Sequence, residues 1–421
     1  MTTHLDPLLT RRQRVLGPAY RLFYEEPLSP VRGKDVWLYD AQGKAFLDCY
    51  NNVPSVGHCH PRVVDALARQ ANILNTHTRY LHEDVVAYAE SLAALFPEPL
   101  DTVMLTCTGS EANDLALRIA HDVTGRRGLI VTENAYHGVT VALADLSPSL
   151  QPVGAHVRKV RAPDTYRSEE GEDVAERFAS DIRAAVESLR AAGLEPAALM
   201  VDTVFASDGI FPEAERVLTA GAAAIREAGG LFIADEVQGG FARTGQGWWA
   251  FQREDELVPD MVSLGKPMGA GHPIAGLVLQ SRWAEPFGRG RRYFNTFGGN
   301  TVSVAVGQAV LQVIKEEDLL ASAAGVGAHL LAGLRNLAGH HSVIGDVRGQ
   351  GLYVGVDLVE GSKTPSAALA TRVCNGLRQR GVLLNTSGPH GNVLKIRPPL
   401  TFKQEHADQL LDALDSILKQ G

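Results

Sequence analysis

From about residue 100 onward, short apolar runs rich in β-branched residues alternate with longer stretches of helical periodicity. We predict six strands from these runs, at residues 103–108, 128–133, 197–203, 231–236, 261–265 and 275–280. Strands this apolar are usually buried on both faces, which favours a mostly parallel sheet covered by helices. The pattern therefore predicts an α/β fold with a large domain.

The helices between these strands have clear boundaries. "SEANDLALRIAHD" (110–122) and "ERVLTAGAAAIREAGG" (215–230) are predicted helices, and the second ends at a glycine stop. "PRVVDALARQANIL" (61–74) begins with proline in its first turn and has Val64, Leu67, Ala71 and Leu74 on one face. Before it, "VWLYDAQGKAFLDCY" (36–50) predicts a hairpin around a Gln-Gly turn.

After about residue 325 the pattern changes to half-buried strands. "IGDVRGQGLYVGVDLV" (344–359) and "NVLKIRPP" (392–399) alternate in polarity, and "FKQEHADQLLDALDSILKQ" (402–420) predicts a closing amphipathic helix. We therefore expect three parts: an N-terminal segment (1–60) that packs with the small domain, a large α/β domain (61–324), and a small α+β domain (325–421).

Composition excludes several classes of function. The 421 residues carry a net charge of −8 with a pI of about 6.0, which argues against nucleic-acid or anionic-membrane partners. The longest uncharged stretch, 293–314, is interrupted by four Asn and Gln residues, and the first fifteen residues contain no apolar signal segment. The four cysteines lie far apart without a CxxC pair. We expect a cytoplasmic enzyme without a membrane segment.

Polar residues follow three of the predicted strands, where open α/β sheets bind ligands. Gly109 and Ser110 lie between a strand and a helix, an arrangement that favours phosphate, although Ser110 could instead be a plain N-cap. Asp235 and Glu236 end an apolar strand, where a carboxylate is costly unless it meets a cation; a surface turn is the alternative.

Lys266 follows the third strand, in "MVSLGKPMGAGHP" (261–273). In an apolar pocket the ammonium form of a lysine is disfavoured, so its pKa falls and the amine becomes nucleophilic. An amine, an acid and a phosphate nest are the three groups that pyridoxal 5′-phosphate (PLP) requires. We predict PLP as the cofactor.

The motifs around these residues resemble the class-III aminotransferases, PLP enzymes of fold type I. The likeness is carried by "LFIADEVQGGFARTGQGWWAFQREDELVPDMVSLGKPMGAG" (231–271), "TCTGSEAND" (106–114), "YHG" (136–138) and "TFGGN" (296–300), and it extends from about residue 20 to the end. It implies that Lys266 forms the Schiff base with PLP, with Asp235 as its partner at the ring nitrogen. The other implied cofactor contacts are Gln238 at the phenolic oxygen, Tyr136 stacked on the ring with His137 beside it, Gly109 and Ser110 at the phosphate, and Thr296 reaching the phosphate from the neighbouring subunit of a homodimer whose active sites lie at the interface.

Four further segments narrow the resemblance to phospho-lyases that act on ethanolamine phosphate and phosphohydroxylysine. They are "NNVPSVGHCHP" (51–61), "LNTHTRYLHE" (74–83), "GKPMGAGHP" (265–273) and "GPHGNVLKIRPPL" (388–400). Many class-III transaminases gate a substrate arginine with a glutamate. Here Ser207 stands at the glutamate's position, while the arginine is retained as Arg397. The resemblance therefore implies an ungated arginine that is free to bind an anion.

We expect a phospho-lyase that removes phosphate from a small phosphorylated amine, with Arg397, Arg79 and Asn52 as substrate-binding residues. The alternative is a class-III aminotransferase that moves an amino group to a keto acid or aldehyde. Arg79 could also form a structural pair with Tyr80. We predict no metal site at "HCH" (58–60), because consecutive side chains of an extended segment point to opposite sides.

Overall fold

The computed structural model describes residues 7–420. The first elements are α1 (Pro7–Leu16), β1 (Arg32–Lys34), β2 (Trp37–Tyr39), β3 (Ala45–Asp48), α2 (Pro61–Ala71) and α3 (Glu83–Ala93). Then follow β4 (Leu100–Thr106), α4 (Gly109–Thr124), β5 (Gly128–Thr132), α5 (Val141–Ala144), β6 (Val157–Val160), α6 (Val174–Ala191), β7 (Pro196–Asp202), α7 (Val217–Glu227), β8 (Leu231–Asp235), β9 (Met261–Leu264), β10 (Ala275–Gln280), α8 (Ser281–Gly290) and α9 (Thr301–Glu316). The last elements are α10 (Leu319–Ala338), β11 (Ile344–Gln350), β12 (Tyr353–Glu360), β13 (Thr364–Pro365), α11 (Ala367–Gln379), β14 (Val382–Leu383), β15 (Asn385–Ser387), β16 (Val393–Ile396) and α12 (Gln404–Leu418).

The central sheet has seven strands in the order β4-β10-β9-β8-β7-β5-β6. Neighbours from β9 to β6 are parallel, and only β10 runs antiparallel to its partners β9 and β4. The predicted α/β fold is therefore confirmed, and all six predicted strands are present. The edge strand β6 was missed, because its sequence "VRKV" buries only its two valines.

Helices cover this sheet through apolar residues that recur at helical spacing. The buried face of α4 includes Ala112, Leu115, Ala116 and Ile119, and burying a large aliphatic side chain contributes about 1.5–3 kcal/mol. Gly125, at the end of α4, has φ of 67°, a left-handed conformation that glycine adopts at little cost. The helix therefore stops at the bottom of the sheet, and its first turn lies at the edge where the parallel strands end.

Two smaller sheets complete the fold. One has the order β1-β2-β3-β14 and includes the predicted hairpin, in which β2 and β3 are antiparallel. The other has the order β11-β12-β16-β15, with β13 paired to β12. Because β14 pairs with β3, strands from both ends of the chain share a sheet. The division at 1–60, 61–324 and 325–421 stays a prediction, and residues 1–6 and 421 lie outside the described residues.

The sequence pattern predicted the wrong buried face for α2. The helix buries Val63, Ala66 and Gln70, on the side that contacts α9. Val64 is 49% exposed and Leu67 is 36% exposed. Apolar residues occur on both sides of this helix, so periodicity alone did not identify which side faces the core.

Between residues 7 and 420, the structure contains no helix whose length and hydropathy would let it cross a bilayer.

Candidate active site

The carboxyl ends of β7, β8 and β9 meet at one edge of the central sheet. Asp202 lies opposite Asp235 in the parallel register, and Asp235 lies opposite Ser263. Lys266 begins a short 3₁₀ turn directly after β9. A cavity of about 90 Å³ opens there. Its walls are formed by Gly109, Ser110, Asn113, Tyr136, His137, Gly138, Asp202, Asp235, Val237, Gln238 and Lys266.

The amine of Lys266 is half-buried and has no hydrogen-bond partner within residues 7–420. Its Nζ lies 5.9 Å from the centroid of the Tyr136 ring. Burial lowers the pKa of Lys266, and the Arg397 guanidinium lowers it further, while Asp235 and Asp202 oppose the shift. The ammonium form is therefore less favoured than it is in water, and the direction agrees with the expectation from the sequence.

Asp235 is 4% exposed and accepts three hydrogen bonds or ion contacts. Its Oδ2 lies 2.8 Å from Nδ2 of Asn113 and 2.8 Å from Nδ1 of His137, and its Oδ1 accepts from the N–H of Val237 at 3.1 Å. These donors compensate the burial of the carboxylate. Asn113 was missed from the sequence, although its position one helical turn after Ser110 places both residues on one face of α4.

Asp202 is the second carboxyl group at this edge. Burial raises its pKa, and the neighbouring Asp235 raises it further, although the N–H groups of Val204 and Ala206 oppose the shift. Two carboxyl groups this close disfavour simultaneous ionisation. Asp202 also accepts a hydrogen bond from Nε2 of Gln238 at 3.3 Å.

The first turn of α4 is arranged to bind an anion. Thr108 is the N-cap and forms a capping box with Glu111, so the alternative of Ser110 as a plain N-cap is wrong. The hydroxyl of Ser110 instead accepts from the N–H of Val139 at 3.2 Å. The backbone N–H groups of Gly109 and Ser110 have no partner within the described chain, so two donors at the positive end of the helix face the cavity.

Gly138 packs against Ser110 in this anion-binding turn. Its φ is 144°, and a Cβ at this position would lie 2.6 Å from the hydroxyl oxygen of Ser110. Any larger residue would push the serine out of place, so this position requires glycine.

Gln238 connects the cavity to Arg397. Its Oε1 accepts from the guanidinium of Arg397 and, at 3.0 Å, from the hydroxyl of Tyr353. Arg397 also donates to Oδ1 of Asn52 at 3.1 Å and lies over the ring of Tyr50, 4.5 Å from its centroid. It is 7% exposed and has no carboxylate partner in residues 7–420. The proposed substrate residues Arg397 and Asn52 are thus in direct contact.

Glu236 has a structural environment. It is fully buried and accepts from the hydroxyl of Thr203 and from the N–H groups of Ala250 and Phe251, at 2.8–2.9 Å. Burial raises its pKa to about 7. The carboxyl group connects the 250–253 turn to the end of β8 through these hydrogen bonds, and it does not line the cavity.

Arg79 and Thr296 lie together but outside this cavity. The Arg79 guanidinium stacks on Phe294, 3.7 Å from the ring centroid, and Thr296 is exposed on the same segment as that phenylalanine. Tyr80 stacks on His77 at 5.1 Å, so the alternative pairing of Arg79 with Tyr80 is wrong. Neither Arg79 nor Thr296 reaches the Lys266 cavity within one chain, and their roles stay predictions.

These residues fit PLP. The unpartnered amine of Lys266 suits the aldehyde, the hydrogen-bonded carboxylate of Asp235 suits the ring nitrogen, and the free amides of Gly109 and Ser110 suit the phosphate.

Comparison with known proteins gives the same result. The family described as "Aminotransferase class-III" matches residues 24–418. An "Alanine–glyoxylate aminotransferase 2-like" protein of Drosophila melanogaster is 39% identical over 95% of this chain and 84% of its own length. "Ethanolamine-phosphate phospho-lyase homolog 1" of Caenorhabditis elegans is 36% identical over 98% of this chain and 93% of its own. A solved phospholyase from Arthrobacter in complex with phosphoethanolamine superimposes with a TM-score of 0.95 at 45% identity, covering 98% of this chain and all of that one.

Proposed function

Because the chain belongs to the class-III aminotransferase family, we propose that it is a phospho-lyase that removes phosphate from a small phosphorylated amine such as O-phosphoethanolamine. Class-III aminotransferases and phospholyases are PLP-dependent, so this protein is a PLP-dependent enzyme. The proposed products are acetaldehyde, ammonia and inorganic phosphate, and one water molecule is consumed.

The observation that carries the proposal is the environment of Arg397. Its guanidinium is buried beside the cavity and, among residues 7–420, bonds only neutral partners, Gln238 and Asn52. A buried cation without a carboxylate favours an anionic ligand. The Arthrobacter structure, which was solved with phosphoethanolamine, supports phosphate as that anion.

PLP, when bound, supplies an electrophilic aldehyde and a protonated ring that accepts the electrons of a broken C–H bond. Lys266 would remove the proton from the carbon that bears the substrate nitrogen, because burial lowers the pKa of its side chain and so favours the neutral amine that accepts a proton. Asp235, held by Asn113 and His137, would keep the ring nitrogen protonated. Arg397 would hold the phosphate as its C–O bond breaks, and the released two-carbon enamine would hydrolyse with water to acetaldehyde and ammonia.

We further propose that the protein is a homodimer whose active sites lie at the subunit interface. Thr296 and Arg79 are the support for this proposal. Both are exposed on one surface outside the cavity, and a second subunit would bring this surface to a neighbouring site. Light scattering of the pure protein tests the dimer.

The second candidate is a class-III aminotransferase. The observation that favours it is the 39% identity to the alanine–glyoxylate aminotransferase 2-like protein. Proton removal by Lys266 would be the same, but the proton would be returned and the amino group passed to a keto acid.

One incubation distinguishes the two candidates. The pure holoenzyme is mixed with O-phosphoethanolamine and no keto acid, and phosphate and acetaldehyde are measured. Equal amounts of both products are expected, and ethanolamine, which lacks the phosphate leaving group, should give no acetaldehyde. Turnover that depends on pyruvate or glyoxylate, with none in their absence, would reject the phospho-lyase in favour of the aminotransferase.

A further inference from the structure

Lys395 lies two residues before Arg397, on the same face of the second small sheet. Side chains alternate along a strand, so Val393 and Lys395 share one face of β16, and Arg397 continues that face just beyond the strand. Val393 packs with Ile210 and Tyr353 on the side of this sheet that meets the end of β7. The side chain of Lys395 therefore lies between the 203–210 loop and Arg397.

The strands beside Lys395 place no charged side chain opposite it. In the antiparallel register its neighbour on β12 is Gly355, and its neighbour on β15 is Asn385. Neither residue carries charge. The pairing positions therefore provide no counter-ion for the amine.

Lys395 is 7% exposed, yet its amine makes no hydrogen bond or ion pair with any residue from 7 to 420. Arg348, a buried cation on β11 of the same sheet, is neutralised. It donates to the carboxylates of Asp346 and Asp357, at 2.7 and 3.2 Å. Lysine is rarely buried without a partner, because desolvation of the ammonium is costly. Because no residue from 7 to 420 pairs with it, this buried amine is suited to an anionic ligand.

The charges around Lys395 also favour an anion. Burial lowers the pKa of Lys395 well below its ordinary value, the Arg397 guanidinium and the Lys266 amine lower it further, and Asp202 opposes the shift. Arg243, which is buried near Arg397 and donates to the backbone carbonyls of Leu352 and Pro398, has its pKa lowered to about 9 by burial and by Arg397. An anion placed between Arg397 and Lys395 would be attracted to the guanidinium and would favour the ammonium form of the lysine.

We propose that Lys395 is a second anion-binding residue of the active site, which holds the phosphate of the substrate together with Arg397. This inference rests on the proposed phospho-lyase function for the identity of the anion. The placement of an unpaired buried amine beside Arg397 stands without it.

The test is the affinity of the holoenzyme for inorganic phosphate, measured by isothermal titration calorimetry. In the holoenzyme the amides of Gly109 and Ser110 would hold the cofactor phosphate, so the titration would report another anion site. A charge-assisted hydrogen bond typically changes an equilibrium by about ten- to a hundredfold. We expect Lys395→Met to weaken phosphate binding by at least about tenfold, and Lys395→Arg to retain it within about threefold.

Two controls separate binding from folding. Lys159→Met, at an exposed position of β6, should leave phosphate affinity unchanged. Lys395→Met should melt at the same temperature as the wild type or higher, because it removes an unpaired buried amine; a lysine with a structural role would instead show a lower melting temperature.

Phosphate affinity of Lys395→Met within about twofold of the wild type would overturn the inference, as would the absence of measurable binding by the wild-type holoenzyme. The proposed function fails separately, if the wild type releases no phosphate from O-phosphoethanolamine. A wild type that is inactive in that assay but binds phosphate through Lys395 would support the anion site and contradict only the proposed substrate.

Discussion

The contact between Gly109 and Val237, at the start of α4, allows a quantitative test of the cofactor cradle. A Cβ built on Gly109 would lie 2.8 Å from Cγ2 of Val237 and 3.0 Å from its Cγ1, whereas carbon atoms in contact are usually about 3.5–4.0 Å apart. Val237 is 8% exposed and belongs to a branched, stiff residue type. Gly109→Ala therefore has to displace it, and such overpacking costs about 1–3 kcal/mol.

A double-mutant cycle isolates this contact. Val237→Ala removes two methyl groups, which costs about 1.5 kcal/mol. In the double variant the methyl group introduced by Gly109→Ala occupies part of the space that the valine side chain leaves. We therefore expect the double variant to be more stable than the sum of the single effects by about 1 kcal/mol or more.

The assay is urea unfolding of the holoenzyme for the wild type, both single variants and the double variant. Gly288→Ala is the matched control, because no atom lies within 4 Å of the position of its Cβ, and there alanine should stabilise the helix by about 0.5–1 kcal/mol. Additivity of the two substitutions within about 0.5 kcal/mol would show that Gly109 and Val237 do not compete for space, and would refute the reasoning.

Three other predictions follow from buried groups. Glu236→Gln should lower the free energy of unfolding by about 1–3 kcal/mol, because an NH₂ group would replace an oxygen that accepts a backbone N–H. Urea unfolding checks this against the exposed control Glu256→Gln, and equal stability of the two variants would contradict it. Burial raises the pKa of Asp208 from 3.8 to about 6, so the folded state keeps a proton that the unfolded state loses. The stability of the wild type relative to Asp208→Asn should thus be greatest below about pH 4 and fall as pH rises through about 6, and a pH-independent difference in urea unfolding would count against it. Lys266→Met should abolish turnover and the covalent attachment of the cofactor by borohydride, which mass spectrometry of the denatured protein detects; cofactor still fixed to the variant would exclude Lys266 as the attachment point.

Local patterns predicted six of the seven strands of the central sheet. The strands of the central sheet are buried on both faces, so each is a continuous apolar run that can be recognised without its neighbours. The acid and the amine of the candidate site were singled out in the sequence for the same reason. Asp235 and Lys266 interrupt apolar runs at the ends of β8 and β9, where a polar residue needs a ligand or a partner.

The features that the sequence did not predict depend on long-range contacts. Lys395 is as polar as any surface lysine, and only the pairing of β16 with β12 and β15 places it beside Arg397. Asn113 is indistinguishable from a solvent-facing helical residue until β8 brings Asp235 within 2.8 Å of its amide. The orientation of α2 was mistaken because its contact with α9 is formed by residues more than two hundred positions away.

Asp202, Asp235 and Ser263 are aligned across three parallel strands. Insertions and deletions should therefore be tolerated less in these strands than in the surface loops. A deletion of one residue within β8 would turn every later side chain of that strand to the opposite face, removing the acid while leaving the composition almost intact. The acidic surface loop at 167–176 carries no such periodic constraint, and we expect insertions to accumulate there when the protein is subjected to random mutagenesis and selected for activity.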